Sequence, residues 1–141
     1  MTLDEMIDKC HKAWIEFLKG DPEPAKAMFS HGDDVTLANP FGPAVHGWQK
    51  VSEMLNLAAS NFKDGKSSGF ESVAKYVTSD LATHHEVEHW NARFGKSSNF
   101  QPFVLRVTTA YRRESDTWKI VLRHADPIST FDPQGPLRKS V

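Results

Sequence analysis

The sequence predicts an α+β fold in which helices come first and an antiparallel sheet follows. Three observations predict it. Near the N-terminus, Leu3, Met6, Ile7, Cys10, Trp14, Phe17 and Leu18 recur at three- and four-residue spacing, the apolar stripe of an amphipathic helix. In the second half, segments 70–78, 81–91, 103–113 and 118–125 are rich in Val, Thr, Tyr, Phe and Trp, hold no proline and are joined by short turn-like stretches. Strands so closely spaced pair as an antiparallel meander, because parallel pairing needs a long crossover. At 141 residues, 39% of them apolar, the chain has the length of one domain and enough apolar mass for a core.

Taken in order, the first helix opens on Thr2 and Glu5, a capping box, and stops at Gly20-Asp21-Pro22. Asp21 and Pro22 then begin a short second helix that turns Ala25, Met28 and Phe29 inward. Residues 33–39 read as a strand with Val35, Leu37 and Asn39 on one face, ended by Pro40 and the turn Phe41-Gly42-Pro43. A third helix carries Trp48, Val51, Met54, Leu55, Ala58, Ala59 and Phe62 on one face and closes at Asp64-Gly65. Long, twisted strands laid over a few helices curl and leave a concave face that the helices only partly fill, so an internal pocket is expected. Residues 1–131 read as a single domain and 132–141 as a loose tail.

Composition narrows the function classes. Seventeen basic against eighteen acidic residues leave a net charge of −1, which removes the basic footprint of a nucleic-acid binder. One cysteine, Cys10, excludes an internal disulfide framework and a thiolate zinc site, and fits a reducing compartment. The N-terminal residues are acidic and lack a secretory pattern, and the apolar runs are too short to span a bilayer. A cytoplasmic location and no membrane partner are therefore expected. No Gly-rich phosphate loop, nucleophile elbow or calcium loop is present, and no cofactor is expected.

His85-Glu86-Val87-Glu88-His89 matches H-E-x-x-H, whose zinc chemistry needs a helix that brings both imidazoles to one side. On a strand the same residues stand about 13 Å apart, too far to share one ion. Thr83, Val87 and Trp90 favour extended structure, so the match reads as accidental and no metal is assigned. Strand parity then puts Thr83, His85, Val87 and His89 on one face. If that face is the inner one, His85 and His89 enter the core, each either as a candidate acid–base catalyst or as a plain hydrogen-bonded core or interface histidine.

Other polar residues carry paired readings. Asn39 either donates its amide to a substrate oxygen or caps a turn before Pro40. Arg106 either recognises a carbonyl or carboxylate, or pairs with Glu86 or Glu88. Arg123 and His124 point to opposite faces of the last strand, so one of them enters the pocket. Trp14 and Trp48 are core or pocket wall.

Trp14 with Gly20-Asp21, residues 37–42 (Leu-Ala-Asn-Pro-Phe-Gly), His46-Gly47-Trp48, residues 105–108 (Leu-Arg-Val-Thr) and residues 118–126, in this order, resemble the nuclear-transport-factor-2-like superfamily. The SnoaL-like and ketosteroid-isomerase-like bacterial branches are the most similar, over residues 6–129. The resemblance implies a cone-shaped α+β domain, a curved sheet folded around about three helices and a pocket, and a homodimer. Ketosteroid isomerases take a general base from the Asp of a D-P-x-G turn, and Asn39 stands there. Their oxyanion-hole Tyr falls at Ala13 and their protonated Asp within Thr108–Ala110, so all three groups are missing. What remains is a pocket for a small, largely apolar or carbonyl-bearing molecule. It serves either a cofactor-independent lyase, isomerase or cyclase, or a non-catalytic binding or assembly domain. The last strand also resembles the association domain of calmodulin-dependent kinase, a non-catalytic relative.

Overall fold

A computed structural model describes residues 1–127 and Gln134; apart from Gln134, the expected tail at 132–141 lies outside them. The elements run α1 (Leu3–Phe17), α2 (Glu23–Met28), β1 (Thr36–Ala38), β2 (Val45–His46), α3 (Trp48–Ala59), β3 (Phe62–Val77), β4 (Leu81–Phe94), β5 (Gln101–Glu114) and β6 (Thr117–Asp126). The capping box forms: Glu5 N–H donates to Thr2 Oγ1 at 3.1 Å and Thr2 N–H to Glu5 Oε2 at 3.0 Å. Asp21 Oδ1 accepts the N–H of Glu23 and so opens α2. Several boundaries differ from expectation: β3 begins at Phe62 and not near residue 70, which puts Asp64-Gly65 inside a strand, β4 runs on to Phe94, and the short β2 is an added strand. Helix α3 ends at Ala59, and Phe62 starts β3 instead of extending the helix, though it is buried as expected. The strand expected over 33–39 is ordered as a strand only over Thr36–Ala38.

The six strands form one sheet in the order β2-β1-β6-β5-β4-β3. Its β3–β6 meander is antiparallel throughout, as expected, whereas β1 joins β6 in parallel. That pairing joins segments more than eighty residues apart, where no hairpin turn dictates direction. The helices cover one face. Leu3, Met6, Ile7, Cys10, Ala13, Trp14 and Phe17 of α1 and Val51, Leu55, Ala58 and Ala59 of α3 are buried against it. The inward set of β4 is Ala82, His84, Glu86, Glu88, Trp90 and Ala92, and of β5 Val107, Thr109 and Tyr111. In β6, Trp118 and Ile120 point inward, and simple alternation would bring Leu122 and His124 after them. A bulge intervenes: Ala110 pairs with Leu122 but Tyr111 with Ile120, leaving Val121 as the extra residue. Alternation restarts one position later, so Arg123 and Ala125 are buried and His124 is exposed.

Among the described residues no helix is long and apolar enough to cross a membrane. A tight seam joins β3 to the end of α1, where Gly65 N–H donates to Leu18 O at 2.9 Å. A Cβ on Gly65 would sit 2.6 Å from that oxygen and closer still to Leu18 Cβ. Gly65→Ala should therefore cost about 1–3 kcal/mol in urea unfolding, while the exposed neighbouring substitution Lys63→Ala should stay within about 0.5 kcal/mol of wild type.

Candidate functional site

Between the inner face of the sheet and α1 and α3 lies a cavity of about 180 Å³. Its wall is aromatic: Phe17, Phe62, Phe94, Phe103, Trp14 and Trp90 line it, with Leu37, Leu55 and Leu105 between them. Phe41 and Pro127 line its exposed rim. Asn39 also lines the cavity; its Oδ1 accepts the N–H of Phe41 at 3.2 Å, which leaves the Nδ2 hydrogens as its donating end. The expected turn bond of Asn39 is thus formed, and it turns the Nδ2 end away from the Phe41 amide.

Two charged side chains form the floor. Arg123 donates from Nη1 to Glu88 Oε2 and from Nη2 to Glu88 Oε1, both at 2.9 Å, and the two residues are only 6% and 1% exposed. Trp90 Nε1 donates to Glu88 Oε1 at 3.0 Å, and the Arg123 guanidinium lies 3.9 Å from the centre of the Trp14 ring. Burial disfavours the charge on Arg123, but the Glu88 carboxylate outweighs it and leaves the guanidinium more basic than usual. With three donors on its two oxygens, Glu88 is a fixed counter-ion to Arg123.

A second polar cluster lies further along β4. Glu86, also buried, receives His11 Nε2 at 2.9 Å, and His84 Nδ1 lies 2.6 Å from its other oxygen in an ion-pair contact bent away from hydrogen-bond alignment. His84 Nε2 in turn meets Ser72 Oγ at 2.9 Å. Burial pushes the Glu86 carboxyl up, yet the His11 bond and the close His84 contact prevail and bring it down to about 2. The ring of His11 stacks on Phe70 at 3.7 Å. Nearby Cys10, pushed up to about 12 by burial, is a neutral thiol and no nucleophile.

The expected acid–base pair is corrected. His85 and His89 stand on the outer face of β4, where His85 Nδ1 bonds Thr108 Oγ1 at 3.0 Å and His89 Nε2 bonds Glu71 Oε1 at 2.8 Å. Because β4 is a strand, they share no partner, and neither lines the cavity. The inward face of β4 is the other one because its carboxylates find partners inside. Trp90, with the parity of Glu86 and Glu88, was the residue that could have signalled it. Arg106 is on the outer face too, held bidentate by Asp126 at 3.0 Å instead of by Glu86 or Glu88. His124 is exposed and Trp48 stacks on His31 at 3.9 Å outside the cavity. Of the expected ligand-binding residues, the structure brings Asn39, Trp14 and Arg123 together. Sequence reasoning missed Glu88 as their partner, and His11, whose place beside Ile7, Cys10 and Trp14 on α1 put it at the margin of the buried stripe.

No protein-family model matches the chain, and comparison with curated proteins finds no match. Solved structures do. A nuclear-transport-factor-2-like superfamily protein from Salmonella enterica serovar Typhimurium superposes with a TM-score of 0.74 at 18% identity, covering 93% of this chain and 92% of that one. A ketosteroid isomerase-like protein from Erwinia carotovora atroseptica gives 0.75 at 15% identity, covering 91% and 95%. A candidate dehydratase of the same fold family from Streptomyces avermitilis gives 0.73 at 21% identity, covering 89% and 96%. The chain thus has the nuclear-transport-factor-2-like fold.

Two outcomes test the buried charges. Arg123→Met strands the Glu88 carboxylate and should cost about 3–5 kcal/mol in urea unfolding, with Arg123→Met/Glu88→Met recovering at least half of the loss. Glu86, lowered from 4.5 to about 2 in the folded protein, adds stability that is complete above pH 4.5 and is lost as pH falls towards 2. Urea midpoints measured from about pH 6 down to about pH 2.5 should therefore fall less steeply in Glu86→Gln than in wild type.

Proposed function

We propose that the protein binds a small, mostly apolar molecule in the aromatic cavity, with the Asn39 amide directed at a carbonyl or hydroxyl oxygen of the ligand. The observation that carries this reading is the pairing of an aromatic wall with a floor whose charges are already satisfied by each other. Such a floor attracts neither a free cation nor a free anion. It leaves ring packing and one neutral donor as the means of recognition. At about 180 Å³ the cavity is of the size that takes one six-membered ring, since an apolar cavity of roughly 150 Å³ accepts benzene.

The wall supports binding better than turnover. Among the described lining residues, Asn39, Glu88 and Arg123 are the polar ones, and none is a free acid or base. Ala13, Asn39 and Thr108–Ala110 replace the three groups by which ketosteroid isomerases work. One similar structure is named as isomerase-like and another as a candidate dehydratase, so the names do not select a reaction.

Thermal unfolding and tryptophan fluorescence with p-cresol, benzaldehyde and cyclohexanone test the reading. At a hundred times its dissociation constant, a ligand of the folded state adds about 2.7 kcal/mol, a rise in Tm of roughly 5–10 °C. At least one of the three should give it, with quenching of Trp90 or Trp14. Leu105→Trp, which fills the cavity, should abolish both responses. A panel that shifts neither signal, or a shift that survives Leu105→Trp, would overturn the assignment.

A further inference from the structure

The structure carries a second concavity, of about 310 Å³, between the start of α1 and strands β3 and β4. Ser72, His84, Glu86 and His11 lie along one side of it, with Ile7 and Phe70 supplying apolar wall and Lys75 at its edge. We propose that this is a nucleophilic acyl-transfer site for small carboxylic esters, with Ser72 as nucleophile, His84 as general base and Glu86 as the positioning residue behind it.

Ser72 Oγ is 2.9 Å from His84 Nε2, and the opposite ring nitrogen, Nδ1, is 2.6 Å from Glu86 Oε2. One imidazole therefore spans a hydroxyl and a carboxylate through its two different nitrogens, the arrangement that activates a serine. Exposure is graded in the required sense: Ser72 is exposed, while His84 and Glu86 are 2% and 4% exposed. His11 holds the other oxygen of Glu86 at 2.9 Å and is fixed by its stack on Phe70, so the carboxylate is anchored from behind. The contact of His84 Nδ1 with Glu86 is bent, as acid–base bonds of unliganded sites commonly are before substrate aligns them. The register of β3 against β4 breaks between Ser72 and Ala74. Val73 is thus the extra residue beside the nucleophile on this edge strand, and Lys75, paired with Asp4 at 2.7 Å, lies at the edge of the concavity.

In the reaction, Ser72 Oγ bonds to the ester carbonyl carbon as its proton passes to His84 Nε2. The bond from that carbon to the alcohol oxygen breaks, and the departing alcohol takes the proton from Nε2. Water then adds to the acyl-serine, giving its proton to Nε2. The carboxylic acid leaves, and Ser72 Oγ recovers the proton. Ester and water become acid and alcohol, with no change of oxidation state. None of these residues lines the aromatic cavity, so the site stands whether or not that cavity binds a ligand.

The test is labelling of the whole chain with diisopropyl fluorophosphate, which bonds phosphorus to an activated serine oxygen and releases fluoride. Intact mass and peptide mapping should show one adduct, on Ser72. Exposed Ser72→Ala, which keeps the fold, should show none and should lose p-nitrophenyl acetate hydrolysis. His84→Gln should label roughly 100-fold more slowly with an unchanged near-ultraviolet dichroism spectrum. Folded wild type that takes no label, label found elsewhere, or p-nitrophenyl acetate turnover that persists in Ser72→Ala would each overturn the proposal. If His84→Gln does not fold, the mapped adduct and its loss in Ser72→Ala still decide it.

Discussion

Taking a carboxylate and a guanidinium out of water costs several kcal/mol per ion, and much of this molecule's interior is arranged to offset that cost at Glu88 and Arg123. The two side chains come from β4 and β6 and meet across β5. Trp90 supplies the third hydrogen bond, and Trp14 of α1 lays its ring on the guanidinium. One interaction thus ties the position of the first helix to the register of strands more than seventy residues later. It also holds Glu88 on the inner face of β4, where Arg123 and Trp90 both meet it.

The same constraint shapes the cavity. With its floor electrostatically closed, the space above is governed by the phenylalanine and tryptophan rings and by the turn-held amide of Asn39. The titratable groups capable of moving protons are segregated two positions further along β4, where Glu86 keeps its charge between His11 and His84. Neighbouring carboxylates on one strand therefore serve different ends: Glu88 saturates a cation, and Glu86 orients imidazoles.

Much of the fold was legible in the chain. The α1 stripe and its capping box, the turn at Asn39-Pro40, and the order of the four-strand meander all rest on local spacing and turn chemistry, and the structure has them, with β3 beginning earlier than the spacing puts it. Of the candidate residues, Trp14 and Asn39 line the cavity, Asn39 for a local reason, its place at the end of an apolar strand face, while the sequence leaves the choice between Arg123 and His124 open. The histidines at 85 and 89 were misplaced because an alternating strand with polar residues on both faces has no intrinsic inside.

What the sequence by itself determined is therefore the kind and order of the elements, through periodicities that act within a few residues. Tertiary structure alone decided the faces. Glu86 and Glu88 turn inward because their partners, His11 and Arg123, arrive from remote parts of the chain, and burial of a charge is settled by its partner and not by its own hydrophobicity. Arg123 and not His124 enters the interior because Val121 bulges out of register against β5, and a one-residue slip sends every later side chain of a strand to the opposite face.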